Sequence, residues 1–189
     1  MPRHIKRTIP GDPGTMKSDQ GPRIDQMIRV NHAGEYGAKR IYQGQLAVLS
    51  DDPELKETLT HMAEQEDQHL KFFENEIVSR QTRPTLLQPF WHIAGYGLGY
   101  ITAKMGKEAA MACTVAVETV ISEHYEEQLN ELGDKEPKLK ASIQKFKEEE
   151  EEHHDIGLQN GAELAKGYPV LSNTIKAGCR TAIWLAKRI

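Results

Sequence analysis

Two Glu-x-x-His pairs recur at a fixed offset of 84 in the numbering, at positions a helix would normally give to its apolar core. Glu66 and His69 fall in the row Leu59, Met62, Glu66, His69, Phe73. Glu150 and His153 fall in the row Ile143, Phe146, Glu150, His153, Gly157. Both rows step by 3, 4, 3, 4, the spacing of a stripe that faces other helices. Side chains three positions apart project to the same side, so each pair offers a carboxylate and an imidazole one turn apart. Two further rows have the same steps and carry one glutamate each: Ile28, Asn31, Glu35, Ala38, Tyr42 and Met111, Thr114, Glu118, Ile121, Tyr125. From Glu35 to Glu118 the numbering advances by 83, and from Glu66 to Glu150 and His69 to His153 by 84. The chain therefore reads as a duplicated helix pair, each copy supplying Glu and then Glu-x-x-His.

None of the four rows contains Lys or Arg. Four buried carboxylates without a cationic partner would repel one another and cost many kcal/mol to desolvate. Divalent metal ions remove that cost. Four glutamates and two histidines on four facing helices are the ligand inventory of a carboxylate-bridged two-metal site in a four-helix bundle. Six protein ligands for two ions leave positions open for oxygen or substrate, and glutamate with imidazole suits iron or manganese better than zinc. A single Glu-x-x-His is a weak signal on a charged helix, and the run Glu148–Glu152 makes register decisive. The rival pair Glu151 and His154 lies on the more polar row Gln144, Lys147, Glu151, His154, Leu158, so Glu150 and His153 are preferred.

Helical periodicity continues almost throughout, with no convincing strand. Helices are expected over about 24–49, 53–80, 107–131, 137–167 and 172–188, with Asp52 capping the second and Pro53 in its first turn. The expected layout is a lead over 1–23 that is flexible and basic, then one domain over 24–189. Within it the repeats cover about 24–80 and 107–167. The run from Pro84 through Ala103 contains no charged side chain. Its length would permit a membrane span, but Pro89, His92, Gln88 and three alternate glycines favour a segment lying in a membrane interface or covering an apolar cavity. Phe90, Trp91, Tyr96 and Tyr100 suit that position. The last segment, 172–188, is amphipathic, with Lys176, Arg180 and Lys187 on one face; a solvated surface helix is its plainer explanation.

A chain of 189 residues is large enough for one real core. Its 24 basic and 28 acidic side chains, net −4, argue against general nucleic-acid binding. Cys113 and Cys179 are too few for a disulfide framework or a cysteine-rich iron site, and suit a reducing compartment. No secretory signal is visible, and the shortness of the lead leans bacterial. Gly95-x-Gly97-x-Gly99 follows no strand and opens no βαβ unit, so a dinucleotide fold is not supported. His124, Tyr125 and Asp155 are candidates for hydrogen bonding around the metal site, Asp155 by orienting an imidazole. His32 lies next to a ligand but one step off its row. His4 and His61 read as surface residues.

The residues from Arg29 to Ala38 (RVNHAGEYGA), with Arg40-Ile41-Tyr42 and Ala47-Val48-Leu49, resemble the demethoxyubiquinone hydroxylase family of ubiquinone biosynthesis. So do Gly106-Lys107-Glu108, the run from Ala110 to Glu118 (AMACTVAVE), Glu152 to Leu158 (EHHDIGL) and Ala177-Gly178-Cys179-Arg180. The likeness covers about 24–189. Asn31 departs from it, standing where an aspartate is expected before His-Ala-Gly-Glu. Carried over residue by residue, the metal ligands are Glu35, Glu66, His69, Glu118, Glu150 and His153, the same six the stripes select. The resemblance implies an all-α, ferritin-like bundle with extra membrane-interface helices. It implies two ferrous ions, O2 as co-substrate, and hydroxylation of the ring of a prenylated demethoxyubiquinol with two electrons from NADH or a quinol. It further implies a peripheral place on the cytoplasmic face of a bacterial inner membrane, or the matrix side of the mitochondrial one. A lipid-binding partner protein and homo-oligomers are compatible with it. The competing expectations are a ferritin-like iron-storage or peroxidase bundle without a quinone substrate, and a metal-free helical scaffold.

Overall fold

The computed structural model describes residues 21–189. The expected lead over 1–23 thus lies outside the described residues for 1–20, while residues 21–23 already belong to the first helix. The helices are α1 (Gly21–Leu49), α2 (Pro53–Ser79), α3 (Gln88–Lys104), α4 (Lys107–Leu132), α5 (Pro137–Gln159) and α6 (Tyr168–Ala186). No strand occurs among the described residues, so the architecture is the expected all-α bundle. Asp52 accepts a hydrogen bond from the Leu55 backbone N–H at 3.1 Å and Pro53 sits in the first turn, which fixes the start of α2.

One boundary differs clearly from expectation. The fourth bundle helix ends at Gln159 rather than near Gly167. Gly161 turns left-handed at φ 87°, and a 3-10 turn over Ala162–Leu164 follows. Pro169 then stands in the first turn of α6, where its missing N–H costs nothing, so it opens the next helix instead of closing the previous one.

Chain direction sets the layout. An apolar cluster containing Leu59, Met62, Met111 and Val115 forms one end of the bundle, and one containing Ile28, Phe73, Tyr125, Ile143 and Phe146 forms the other. Accordingly α1 and α5 run one way, α2 and α4 the other, and α3 lies in the long crossover from α2 to α4. One long crossover is the connectivity of ferritin-like bundles. The uncharged run Ala109–Val117 is buried all round, as expected of a helix covered on every side. Between the two apolar ends sit the polar residues of the four stripes. Of the twenty stripe residues only Ile121 is not buried.

The Gly95/Gly97/Gly99 series now has a structural reason. A Cβ on Gly99 would lie 2.0 Å from the Ile41 carbonyl oxygen, and one on Gly44 would lie 2.3 Å from that of Tyr96. These glycines let α3 lie directly on α1. Gly97 faces open space and has no such role.

Candidate metal centre

Glu35 on α1, Glu66 and His69 on α2, Glu118 on α4, and Glu150 and His153 on α5 are each at most 1% exposed and converge at mid-bundle. Two groups of donor atoms form, each within 4.8 Å: Glu35, Glu66, His69 and Glu150; and Glu66, Glu118, Glu150 and His153. Glu66 and Glu150 belong to both. His69 Nδ1 lies 3.1 Å from Glu150 and 3.4 Å from Glu35, and His153 Nδ1 lies 3.2 Å from Glu66 and 3.4 Å from Glu150.

These approaches lack hydrogen-bond alignment. Both oxygens of Glu66 and of Glu150, one each of Glu35 and Glu118, and Nδ1 of both histidines are buried without a hydrogen-bond partner. Eight orphaned donor atoms in one dry cluster are costly unless something else satisfies them, and a pair of divalent ions fits that donor set. The electrostatics agree. Desolvation and the neighbouring Glu150 push the Glu66 and Glu118 carboxyls well above the carboxylate range. Burial alone would lower His69, but Glu150, Glu35 and Glu66 outweigh it and hold the imidazole up at about 12. Without metal Glu66, Glu118 and His69 therefore favour their protonated forms, while the two imidazoles, despite burial, hold Glu150 down at about 2.

The hydrogen bonds around the cluster obey the internal repeat. Tyr42 on α1 donates to Glu118 on α4 at 2.7 Å, and Tyr125 on α4 donates to Glu35 on α1. His69 Nε2 meets Glu149 at 2.9 Å across the bundle, and His153 Nε2 meets Gln65 at 2.9 Å in the opposite sense. Each imidazole is thus held with Nδ1 turned inward. Tyr125 is where sequence reasoning looked for such a group. Tyr42, Gln65 and Glu149 were missed there, although Tyr42 precedes Tyr125 by 83 and Gln65 precedes Glu149 by 84, the offsets of the ligands themselves.

The other candidates lie elsewhere. Asp155 sits about 200° round the helix from His153. Its carboxylate reaches half-buried His154 at 3.1 Å, so it orients neither cluster imidazole. His124 is buried, accepts from Gln128 at 2.7 Å, and lines a separate polar pocket of about 180 Å³ with Glu127 and Lys187. Burial lowers it to about 4. His32 is also buried and lowered by burial, against the opposing pull of Glu74 and Glu35. His61 is exposed, and His4 lies outside the described residues.

An apolar groove of about 340 Å³ runs between α1, α3, α4 and α6. Gly34 and Ala38 beside Glu35, Val117 and Ile121 beside Glu118, and Leu98 and Ile183 are among the residues that line it. It therefore backs directly onto the helices that carry two of the clustered carboxylates.

Fold, duplicated Glu/Glu-x-x-His cluster and adjoining apolar groove define the class: a ferritin-like carboxylate/histidine bundle. The chain belongs to the family described as ubiquinone biosynthesis protein COQ7, whose model matches residues 22–186. It is 50% identical over 181 residues to the 3-demethoxyubiquinol 3-hydroxylase of Rhodospirillum rubrum, covering 96% of this chain and 83% of that one. It is also 50% identical over 170 residues to the human mitochondrial NADPH-dependent 3-demethoxyubiquinone 3-hydroxylase, covering 88% and 78%. To the yeast mitochondrial 5-demethoxyubiquinone hydroxylase it is 42% identical over 182 residues, covering 88% and 78%.

Proposed function

We propose that this chain is a di-iron monooxygenase that hydroxylates the ring of a prenylated demethoxyubiquinol. A ring C–H, O2, two electrons and two protons give a ring C–OH and water. The carrying observation is the buried set of eight orphaned carboxylate and imidazole atoms backed by an apolar groove.

In this reading Glu35 and His69 would help hold one iron and Glu118 and His153 the other, with Glu66 and Glu150 belonging to both donor groups. When bound, the ferrous pair supplies the electron transfer that activates O2. The protein's own part is positional. Tyr42 and Tyr125 hold the two unshared carboxylates by hydrogen bonds. Gln65 and Glu149 fix the imidazole rings, and the surrounding apolar clusters exclude water. The groove accepts the apolar substrate and brings its ring towards the centre. An iron-storage bundle has no use for such a groove, which favours the hydroxylase reading. The name of the human relative includes NADPH. A reduced nicotinamide or a quinol is the electron source proposed for this chain.

A polyprenyl substrate resides in lipid. Among the described residues no helix is long and apolar enough to cross a membrane. However, Phe90, Ile93 and Ile101 of α3 and Val170 and Trp184 of α6 are exposed on two of the helices that line the groove. These faces are proposed to lie on the membrane surface and load substrate from it. The membrane is the cytoplasmic face of a bacterial inner membrane or the matrix face of the mitochondrial one.

The test is anaerobic iron loading, then O2 with a short-tailed demethoxyquinol, reading product by mass. Gain of one oxygen atom is expected, and its loss in Glu118→Ala with the fold retained. Full hydroxylation by that variant would refute the ligand assignment.

A further inference from the structure

The hydrogen bonds around the centre are matched across the repeat with one exception in charge. Tyr42 pairs with Tyr125, each donating to the opposite glutamate. Gln45 pairs with Gln128 at the same offset of 83. Gln45 reaches Thr114 at 3.2 Å and Gln128 reaches Asn31 at 2.7 Å, and Asn31 and Thr114 are themselves 83 apart. In all these pairs neutral stands opposite neutral. The groups that hold the imidazoles differ. His153 Nε2 meets the amide oxygen of Gln65, while His69 Nε2 meets the carboxylate of Glu149, both at 2.9 Å. Geometry is the same and charge is not.

A carboxylate accepts a stronger hydrogen bond than an amide oxygen and makes the opposite ring nitrogen a better donor to metal. It also adds attraction for a dication at a site shielded from water. Lys145 Nζ lies 3.2 Å from the other Glu149 oxygen, but Lys145 is 61% exposed, so solvent screens its charge. Glu149 is only 19% exposed and points inward. Resting on the two-metal reading above, we propose that Glu149 is a positioning residue that makes the His69 half of the centre the tighter metal position. The pair then fills in order, the His69 side first.

Anaerobic calorimetric titration of the full chain with Fe(II) tests this. The native chain is expected to show two resolved steps. Glu149→Gln, which keeps the hydrogen bond and removes the charge, is expected to weaken the first step about 10- to 100-fold and merge the two. Gln65→Glu is expected to strengthen the second step by a similar factor, a gain that damage to the fold would not produce. His153→Ala is expected to retain the tighter ion and His69→Ala only the weaker. Unchanged steps in Glu149→Gln, or a tighter ion retained in His69→Ala, would overturn the proposal. Should Glu149→Gln fail to fold, Gln65→Glu decides alone, and an unstrengthened second step there overturns it. A native chain that takes up no Fe(II) would instead refute the two-metal reading itself.

Discussion

Replacing Gly99 with alanine should separate two helices that only a glycine lets meet. The new Cβ would start 2.0 Å from the Ile41 carbonyl oxygen and 2.8 Å from its carbon. Ordinary contact begins near 3.4 Å, so α3 and α1 must part by more than an ångström at the crossing. The obstacle is backbone in mid-helix, which no change of rotamer can relieve. Overpacking of this kind costs about 1–3 kcal/mol, and a clash into backbone belongs at the upper end. Alanine returns about 1 kcal/mol of helix propensity, leaving a net loss of about 2 kcal/mol. Gly97→Ala is the control. Nothing lies within 4 Å of its Cβ, so only the propensity gain of about 1 kcal/mol applies. Two alanines at neighbouring alternate positions should then differ by about 3 kcal/mol in urea unfolding, or roughly 6–12 °C in Tm for a domain of this size. Because Gly95 and Leu98 of the same helix line the groove, Gly99→Ala should also weaken binding of an apolar fluorophore there. Equal stability of the two variants would refute the close-approach argument.

Asp52→Ala should lose the N-cap of α2 and about 1 kcal/mol, measured by urea unfolding. Tyr42→Phe removes the buried donor to Glu118 and should lower the stability of the metal-free protein by about 1–3 kcal/mol, with Tyr125→Phe acting alike on Glu35. His124 gives a pH dependence. Burial lowers it from 6.5 to about 4, so the unfolded chain binds the proton first on acidification. Its contribution is full above pH 6.5 and is lost as pH falls from 6.5 to about 4. The ceiling is roughly 3 kcal/mol, and chemical unfolding across that window should show the loss shrink in His124→Gln.

The six clustered residues were legible because polar side chains in an a/d stripe contradict their own pattern, and because the contradiction repeats at a fixed offset. Helix α2 was legible to within a residue because Asp52 and Pro53 leave little choice of start. The end of α5 was not. Periodicity carries on past Gln159 through Ala162 and Ala165, and only the left-handed turn at Gly161 shows that the helix has stopped. The hydrogen-bonding groups around the cluster were partly legible. Asp155 looked suitable because it adjoins two histidines in sequence, yet sequence neighbours on a helix face different ways. The true partners, Gln65 and Glu149, come from the opposite helix pair, a pairing that spacing within one helix cannot express. Likewise the alternate glycines carried no visible purpose until α1 was known to lie beneath two of them.

The net charge of −4 takes on a different meaning once the four stripe glutamates are located. Fully ionised, they account for that entire excess, so the remaining charged side chains balance. These four carboxyl groups sit in a layer between two apolar ends of the bundle. Burial and mutual repulsion hold the Glu66 and Glu118 carboxyls up, and the carboxylates hold His69 up, while the two imidazoles, despite burial, hold Glu150 down at about 2. Protons on these groups relieve part of the repulsion that two dications would relieve in the loaded chain. Metal uptake would then release protons from these groups, as ligands must be deprotonated to bind.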